Sequence, residues 1–475
     1  MIYLMKIAGG NETVIETIDG KINYAERAKE LFSLIAGAEQ VGFADLKEKR
    51  FRMMGGEFCG NATRAAAVLF ADFKSSTIKF KTSGFDGIVD TDVKKISESL
   101  WEVRSTFPNY KYTIAKDTWR EQPISIVGLG GITHIVIKQK STKDAVLVSR
   151  QIITRFAPDA AACGVIWLDE DRIRPIVYVK EVDTLFDETA CGSGSMAVAL
   201  TTEIKRVVQP TGKIIEVGID GRDISLSSEI SLVRIDRQKV YEKLLGKTLS
   251  YDDVASKKVV ENGEGLVKLT LPFMPIESQA GAYPFARATV LKKLKEAQKL
   301  LDKKRLGAKL EIIYAYRCPL RQRQLFEMSM EKYSEQAPSI ENRKCLVHKK
   351  EIAAPDVAGH PTGGAIDLQI VDRHGKPLDF GSKIWEFMDD MMTFSPFISS
   401  KAIKNRLLLR EIMLEVGFAP FDGEWWHFSY GDREWAKFYD RKNAIYDLMA
   451  KESSHPENQP SLQIQNKPPT GACLP

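Results

Sequence analysis

A short motif that occurs twice constrains the fold of this chain more than any other feature. Residues 59–69 begin with Cys-Gly and continue with small apolar residues, and residues 191–200 repeat that pattern at an offset of 132 (191 − 59). A glutamate precedes each copy, at Glu57 and Glu188. Each copy is typical of a turn that leads into a tightly packed helix. One duplication at this spacing predicts two similar halves rather than a solenoid.

Short β-branched runs alternate with these helical segments through about residue 240. They predict strands over 76–83, 134–140, 165–168 and 173–182. Beyond that point the polar, glycine-containing stretch 243–264 indicates a junction.

Two amphipathic helices are predicted after the junction, over 286–305 and 402–418. The basic face of the first carries interspersed acidic residues and no aromatic platform, so we interpret it as solvated rather than as a nucleic-acid surface. Gly417 is the predicted C-cap of the second helix. The predicted inward face of the second helix comprises Ile403, Leu407, Leu408, Ile412 and Val416.

The charge balance argues against nucleic acid or a membrane as a partner. Lys and Arg number 68 and Asp and Glu 63, a formal net charge of +5 over 475 residues. The N-terminus does not match a signal peptide, and no apolar run reaches the roughly 18 residues of a membrane span. We therefore expect a cytoplasmic protein whose six cysteines stay reduced, without a disulfide framework. Of these, Cys163, Cys345 and Cys473 are interpreted as non-catalytic.

A cysteine at a helix N-terminus is a reactive arrangement. The helix dipole and free N–H groups favour the thiolate and lower the thiol pKa, and they also bind a substrate carboxylate. If Cys59 and Cys191 faced each other across a cleft, one thiolate would remove an α-proton and the other thiol would deliver one to the opposite face. Packing is the more common role of a single cysteine among small residues, but two such sites in duplicated context favour reactivity.

The same segments resemble the diaminopimelate epimerase superfamily over residues 1 to about 237. Asn11 lies in an opening Asn segment, EFCGNATRA and ETACGSGS carry the two cysteines, and GLGGITHIV carries His134. The resemblance implies two pseudo-symmetric α/β half-domains, each with a helix wrapped by strands, and no pyridoxal phosphate. It implies catalytic Cys59 and Cys191. It implies substrate contacts from Asn11, Gly60, Asn61, Gly192, Ser193 and, unless it is a hydrogen-bonded core residue, His134.

Three departures bear on the substrate. The stretch before Cys59 is short and lacks the family's Asn, no Arg stands ahead of the second cysteine motif, and Ile132 replaces an Asn. These positions read the carboxylates of diaminopimelate in the family, so another amino acid is expected. The compact MMGGEFCGNATR form resembles the branch that includes histidine racemases of metallophore pathways.

A second constellation has the spacing of a zinc site. His360, Asp367 and His427 offer two nitrogens and an oxygen, and three protein ligands leave a fourth position for water. Glu424, three residues before His427, is placed to act as general base and then acid, and Arg317 to stabilise an oxyanion. The alternative, that these are scattered surface residues, is disfavoured by the local pattern H-x6-D with Gly-Gly-Ala inside, followed by E-W-W-H.

That pattern resembles the D-alanyl-D-alanine dipeptidase family of zinc peptidases from about residue 255 to 450. The resemblance implies an α+β domain in which the three residues bind Zn²⁺, Glu424 is the base and Arg317 assists the transition state. Cys318 follows Arg317 where the family has Pro, and Ala358-Gly359 stand where Ser often precedes the metal histidine. These changes leave the ligands intact and place the choice of dipeptide in question.

We therefore predict half-domains over 1–115 and 116–240, a linker over 241–254, a dipeptidase domain over 255–450 and a disordered tail over 451–475. The predicted function is bifunctional: racemisation of an amino acid and hydrolysis of D,D-dipeptides, joined in D-amino-acid salvage. The partners are small-molecule amino acids and dipeptides, and homo-oligomerisation stays open. Two alternatives remain, an amino-acid-binding first module without activity, and a racemase that serves metabolite synthesis beside a trimming peptidase. A purely structural protein would require both constellations to be accidental.

Overall fold

The computed structural model describes residues 1–274, 282–305 and 307–449, and it separates into two compact units. The first unit comprises Met1–Lys247 and Asp379–Arg406, and the second comprises Thr248–Leu378 and the chain from Leu407 onward. A segment inside the predicted dipeptidase domain thus groups with the first unit, which the sequence analysis did not foresee. The predicted tail over 451–475 lies outside the described residues.

One large sheet organises the first unit. Its strands are β1 Ile2–Ile7, β2 Gly10–Ile18, β3 Gln40–Asp45, β4 Arg50–Met53, β5 Ser76–Thr82, β6 Val89–Ser97, β7 Leu100–Phe107, β8 Thr113–Trp119, β9 Gln122–Gly128, β10 Thr133–Ile137, β11 Ala162–Asp169, β12 Arg172–Val179, β13 Thr184–Asp187, β14 Arg206–Val208, β15 Ile214–Asp220 and β16 Asp223–Val233. Strands β1 to β7 neighbour one another in order, and β16 pairs with both β7 and β1, so these eight strands close into a ring. The second half continues from β16 in the order β15-β14-β12-β11-β10-β9-β8, with β13 on β12.

Each half surrounds one buried helix. The helices of this unit are α1 Tyr24–Leu34, α2 Gly60–Phe70, α3 Ala145–Phe156, α4 Gly192–Thr201 and α5 Arg237–Leu245. Every residue of 60–69 in α2 and of 192–199 in α4 is buried. Alanine, glycine and serine make this possible, because a helix that packs on all sides needs small side chains where strands approach closely. The prediction of two α/β halves, each with a helix wrapped by strands, is confirmed.

The predicted strands of this unit all form, as β5, β10, β11 and β12. The half-domain boundary predicted at 115/116 falls inside β8, and the ring of the first half is completed only by β16. The two halves are therefore not two consecutive stretches of sequence, since the last strand of the unit pairs with its first. The segment 241–254, predicted as a linker, contains the end of α5 and most of a further helix, α6 Tyr251–Ala255.

The second unit is an α+β assembly around a small antiparallel sheet. Its remaining helices are α7 Ala288–Lys304, α8 Pro319–Lys332, α9 Ile340–Lys350, α10 Ser400–Glu415, which begins in the first unit, and α11 Arg433–Phe438. Its strands are β17 Lys258–Val259, β18 Leu266–Lys268, β19 Ala282–Tyr283, β20 Phe285–Arg287, β21 Lys309–Tyr314, β22 Tyr316–Arg317, β23 Ala365–Val371, β24 Ala419–Pro420, β25 His427–Ser429 and β26 Asn443–Ala444. The main sheet has the order β21-β23-β25-β24. The predicted helix over 286–305 corresponds to α7, whose buried face matches the expected apolar positions.

The inward face predicted for α10 is partly wrong. Leu407 is 42% exposed, whereas Asn405 and Arg406 are buried. Arg406 donates to the carbonyl oxygens of Phe380, Asp390 and Met392, so the surrounding backbone satisfies a buried guanidinium. Apolar periodicity alone does not reveal such a network. No helix among the described residues has the length and apolarity needed to cross a bilayer.

Candidate active sites

The two duplicated cysteines cap the two buried helices. The Cys59 thiol accepts a hydrogen bond from the N–H of Ala62 at 3.4 Å, and the Cys191 thiol accepts one from the N–H of Gly194 at 3.3 Å. The two helix N-termini pack closely together at Gly192 and Asn61. A Cβ added at Gly192 would lie only 2.8 Å from Oδ1 of Asn61. Glycine at this position therefore lets the two helix starts approach each other closely.

Both thiols line one small cavity. Its walls include three carboxylates, those of Glu39, Glu57 and Glu188, together with apolar side chains such as Phe58 and Ile132. No lysine, arginine or histidine is among the described residues that line this cavity. The cavity therefore combines two proton-transfer groups with an acidic wall and an apolar wall.

Glu188 acts electrostatically on both cysteines and is connected to Cys59 through Gln40. Its Oε1 accepts a hydrogen bond from Nε2 of Gln40 at 2.5 Å, and Oε1 of Gln40 lies 3.2 Å from the Cys59 sulfur. The other oxygen, Oε2, is buried without a hydrogen-bond partner. Burial, with the charge of Glu39, raises the pKa of Glu188 to about 8, and burial raises the pKa of Glu57 to about 7. These carboxyls can therefore exchange protons near neutral pH.

The expectation that the helix dipole lowers the thiol pKa values is wrong for this site. Burial, reinforced by the charge of Glu188, raises the pKa of Cys59 to about 12 and that of Cys191 well above its usual value. The N–H bonds at the helix starts favour the thiolate, but desolvation outweighs them. A thiolate in this closed cavity consequently needs a neighbouring base to take its proton.

Of the residues predicted to contact the substrate, Ser193 lines the cavity and the others lie behind the cavity wall or beside it. Ser193 lines the cavity, and Nε2 of His134 lies 2.8 Å from its hydroxyl oxygen. Burial lowers the pKa of His134 to about 3, so this imidazole is neutral and lies behind Ser193. Asn11, in the left-handed region at φ 43°, donates from Nδ2 to Glu39 at 3.4 Å. Asn61 donates to the carbonyl oxygen of Ala190 at 2.8 Å.

The roles of these residues, and of Gly60 and Gly192 at the helix starts, remain predictions. Sequence reasoning noted Glu57 and Glu188 only as neighbours of the cysteines and missed Glu39 and Gln40. The usable signal was the repeated placement of a glutamate two or three residues before each cysteine. Gln40 begins β3 and Glu39 directly precedes that strand, and neither residue carries a local signal.

His360, Asp367 and His427 come together in the second unit. One candidate ligand atom from each lies within 4.8 Å of the others, and all three residues are buried. Asp367 in β23 and His427 in β25 are directly paired across the antiparallel ladder. His360 begins a short 3-10 helix, His360–Thr362, just ahead of β23. The predicted spacing thus corresponds to one sheet edge and the turn beside it.

The histidines are oriented by their outer nitrogens. Nδ1 of His360 lies 2.8 Å from the carbonyl oxygen of Ala315, which leaves Nε2 3.3 Å from Asp367. Nδ1 of His427 lies 2.9 Å from Asp367, and its Nε2 lies 3.3 Å from Glu434. Two imidazole nitrogens and one carboxylate, each histidine held by an oxygen acceptor, match the ligand set and supporting contacts of a zinc site. Sequence reasoning missed Glu434.

The charges of Asp367, His360 and His427 influence one another. Burial alone would raise the pKa of Asp367, but the two histidines hold it below its usual range. Burial lowers the pKa of His360, whereas Asp367 and Glu434 overcome burial and raise that of His427. An ionised Asp367 is the form that binds a cation.

Glu424 and Arg317 lie at the same cluster. Glu424 stands in the turn before β25, where its N–H donates to the carbonyl oxygen of Phe421 at 2.9 Å. Desolvation raises the pKa of Glu424 to about 8. Arg317 is 3% exposed; its Nη1 donates to Oε1 of Gln322 at 2.6 Å, and its guanidinium lies 4.3 Å from the ring centre of Tyr314. The arrangement offers a base, a fixed cation and three ligands in one buried site.

Comparisons with known proteins agree with these two units. The family model described as histidine racemase CntK N-terminal domain matches residues 9–233, and the model described as D-ala-D-ala dipeptidase matches residues 284–446. A histidine racemase of Fusobacterium nucleatum is 30% identical over 213 residues, which cover 41% of this chain and 80% of the relative. The chain belongs to the histidine racemase family, fused to a D-Ala-D-Ala dipeptidase family domain.

The dipeptidase relatives match over shorter stretches. The D-alanyl-D-alanine dipeptidase of Escherichia coli is 41% identical over 72 residues, which cover 15% of this chain and 37% of the relative. That of Synechocystis is 33% identical over 102 residues, covering 19% and 41%. This fusion of a histidine racemase-like domain with a dipeptidase-like domain is therefore an enzyme in both parts, an isomerase and a hydrolase.

Proposed function

We propose that the first unit racemises an amino acid, with histidine as the leading substrate, and uses no pyridoxal phosphate. The observation that carries this proposal is the pair of helix-capping thiols on one cavity. Support for histidine comes from the name of the Fusobacterium relative and from the acidic and apolar walls, which suit an imidazole side chain.

The chemistry uses two thiols on opposite faces of the substrate's α-carbon. Glu188 accepts the proton of Cys191, which leaves a thiolate that removes the α-proton from one enantiomer. Cys59 donates its thiol proton to the opposite face, and the roles reverse for the other enantiomer. The free N–H groups of α2 and α4 hold the substrate carboxylate.

We propose that the second unit is a zinc dipeptidase for D,D-dipeptides such as D-Ala-D-Ala. His360, Asp367 and His427 would hold the ion, as their donor set and outer contacts fit zinc. Zinc bound there would polarise the scissile carbonyl and acidify water. Glu424 takes the proton of the attacking water and passes it to the leaving amine, while Arg317 offsets the charge that develops on the carbonyl oxygen.

The fusion suggests that the D-amino acids released by the dipeptidase are substrates of the racemase. Hydrolysis of a D,D-dipeptide releases free D-amino acids, and a racemase returns a D-amino acid to the L form. We propose D-amino-acid salvage as the shared purpose, which requires the two units to have at least one amino acid in common.

Proton NMR of the zinc-loaded full chain in D2O tests these proposals together. The substrates are D-Ala-D-Ala, D,D-dipeptides that contain D-His, and free L-His and D-His. Cleavage followed by loss of the α-proton signal of released D-His supports both activities and their link. Cleavage without deuterium uptake on any amino acid would contradict the racemase, and uptake without cleavage of any dipeptide would contradict the dipeptidase.

Replacing Glu188 with Gln is expected to change how stability depends on pH. The folded chain keeps the Glu188 proton up to a pKa of about 8, whereas the unfolded chain releases it near 4.5. Stability of the wild type therefore falls as pH rises through this window. We expect the thermal midpoint of Glu188→Gln to gain several degrees on the wild type between those pH values and to keep a constant lead above them. Glu181→Gln, at an exposed site, serves as control; a lead independent of pH would contradict the assignment.

Glu434→Gln is expected to weaken zinc binding about 10- to 100-fold, because the carboxylate no longer fixes the ring of His427. The measurement is competition for zinc with a chromophoric chelator, and it requires no turnover. Asp440→Asn, on the exposed side of the same segment, should bind zinc like the wild type. An affinity of Glu434→Gln within twofold of the wild type would rule out this supporting role.

A further inference from the structure

Arg64 is a fully buried cation at the start of the Cys59 helix. It lies five residues after Cys59 on α2, and its side chain folds back toward the helix N-terminus. Nε donates to the carbonyl oxygen of Gly60 at 3.2 Å, and Nη2 donates to Oδ1 of Asn61 at 2.7 Å. Its relative exposure is 0%.

The guanidinium has no anionic partner among the described residues. None of their carboxylates forms a salt bridge with it, and Nη1 is buried without any hydrogen-bond partner. A buried, uncompensated charge is strongly unfavourable unless a negative group joins it. Burial accordingly lowers the pKa of Arg64 to about 10, while the charges of both cysteine thiolates act in the opposite direction. Cys59 and Cys191 are thus the groups whose negative charge acts on Arg64.

Arg64 is also connected to the second cysteine through Asn61. The amide of Asn61 accepts from Arg64 and donates to the carbonyl oxygen of Ala190, the residue before Cys191. The two helix starts meet at this amide, since Gly192 approaches Oδ1 of Asn61. Arg64 therefore holds the amide that also bonds to the start of the second helix.

The duplication is broken at this position. Arg64 corresponds to Met196 in the second copy, and Asn61 corresponds to Ser193. Met196 is buried like Arg64 but carries no charge. The first helix start therefore carries a buried cation that the second helix start lacks.

We propose that Arg64 is a positioning residue that joins the two helix N-termini through Asn61 and supplies the positive charge that favours a thiolate at either cysteine. This inference rests on the proposed racemase function of the first unit. It assigns Arg64 no contact with the substrate and no proton transfer. A purely structural Arg64 would instead fill space and satisfy carbonyl groups.

Alkylation of the thiols separates these roles, because iodoacetamide reacts with thiolate and needs no turnover. The full-length variants are Arg64→Met, which removes the charge, and Arg64→Lys, which keeps it without the planar fork. Arg50→Met, at an exposed arginine of the same unit, is the control. Peptide mass spectrometry follows the alkylation rates of Cys59 and Cys191 between about pH 7 and 9.

We expect Arg64→Met to slow alkylation of both cysteines about tenfold at each pH, which corresponds to a rise of one unit in thiol pKa. Arg64→Lys and Arg50→Met should stay within about threefold of the wild type. Unchanged rates in Arg64→Met, or equal slowing in Arg64→Lys and Arg64→Met, would overturn the proposal.

If Arg64→Met fails to fold, Arg64→Gln provides the second test, since it removes the charge and keeps an N–H donor that can reach Asn61. We expect alkylation of both cysteines in Arg64→Gln to be slowed about tenfold; rates within about threefold of the wild type overturn the proposal. Alkylation is measurable even if no amino acid is racemised. Failure of the proposed function and failure of this inference are therefore distinguishable.

Discussion

Glu424→Gln is expected to lower kcat for D-Ala-D-Ala hydrolysis by about a thousandfold while zinc binding persists. Gln has the size of Glu and preserves the backbone turn before β25, but it cannot accept the proton of the attacking water. His360, Asp367 and His427 are untouched by the change, so the ion should bind as in the wild type. The measurements are hydrolysis followed by proton NMR and zinc content by elemental analysis.

Two matched variants make this result specific. Glu415→Gln changes an exposed glutamate in the same unit and should leave hydrolysis unchanged. Asp367→Asn should lose zinc and activity together, because a carboxylate ligand becomes a neutral amide. Retention of more than about a tenth of wild-type kcat by Glu424→Gln would remove Glu424 as the base and direct attention to another proton acceptor.

The metal cluster could be predicted because its ligands lie in short local patterns. The H-x6-D motif spans the turn and the strand that hold His360 and Asp367, and His427 begins the strand that pairs with it. Glu434 could not be predicted in the same way. Its contact with His427 depends on how α11 packs against the sheet, and an acidic residue in a short helix carries no signal of that packing.

The repeat in the sequence predicted the two halves of the first unit, but it did not predict how the ring of strands in the first half closes. Two Cys-Gly helix starts gave two halves, whereas the pairing of β16 with β1 depends on strands more than 200 residues apart in sequence. The placement of Asp379–Arg406 with the first unit was hidden for a similar reason. From sequence alone, an arginine in an amphipathic helix is expected at the surface. Arg406 is buried because three backbone carbonyl groups accept its hydrogen bonds.

The thiol pKa values show where local reasoning fails in chemistry. A helix N-terminus lowers a thiol pKa in solvent, but Cys59 is 7% and Cys191 is 4% exposed. The cost of desolvating a thiolate then exceeds the favourable N–H contacts. Only the assembled cavity reveals this cost, and it also reveals Glu188 as the neighbouring base.

Cys59→Ser and Cys191→Ser should each abolish racemisation of histidine, with losses of about a thousandfold or more in both directions. A serine hydroxyl is far less acidic than a thiol, and inversion needs proton transfer on both faces of the α-carbon. Each variant retains one thiol, which serves only one face. We therefore expect residual α-proton exchange in D2O with one enantiomer of histidine per variant, and with opposite enantiomers in the two.

This pairing of outcomes tests the two-thiol mechanism more sharply than loss of activity alone. Cys345→Ser, in the second unit, should racemise histidine like the wild type, and D-Ala-D-Ala hydrolysis by all three variants should be unchanged. Misfolding of the cavity would remove exchange with both enantiomers in both variants, whereas a single-base mechanism would remove exchange with both enantiomers in one variant and keep it with both in the other. Racemisation within tenfold of the wild type in either Cys59→Ser or Cys191→Ser would show that the substituted thiol is not required.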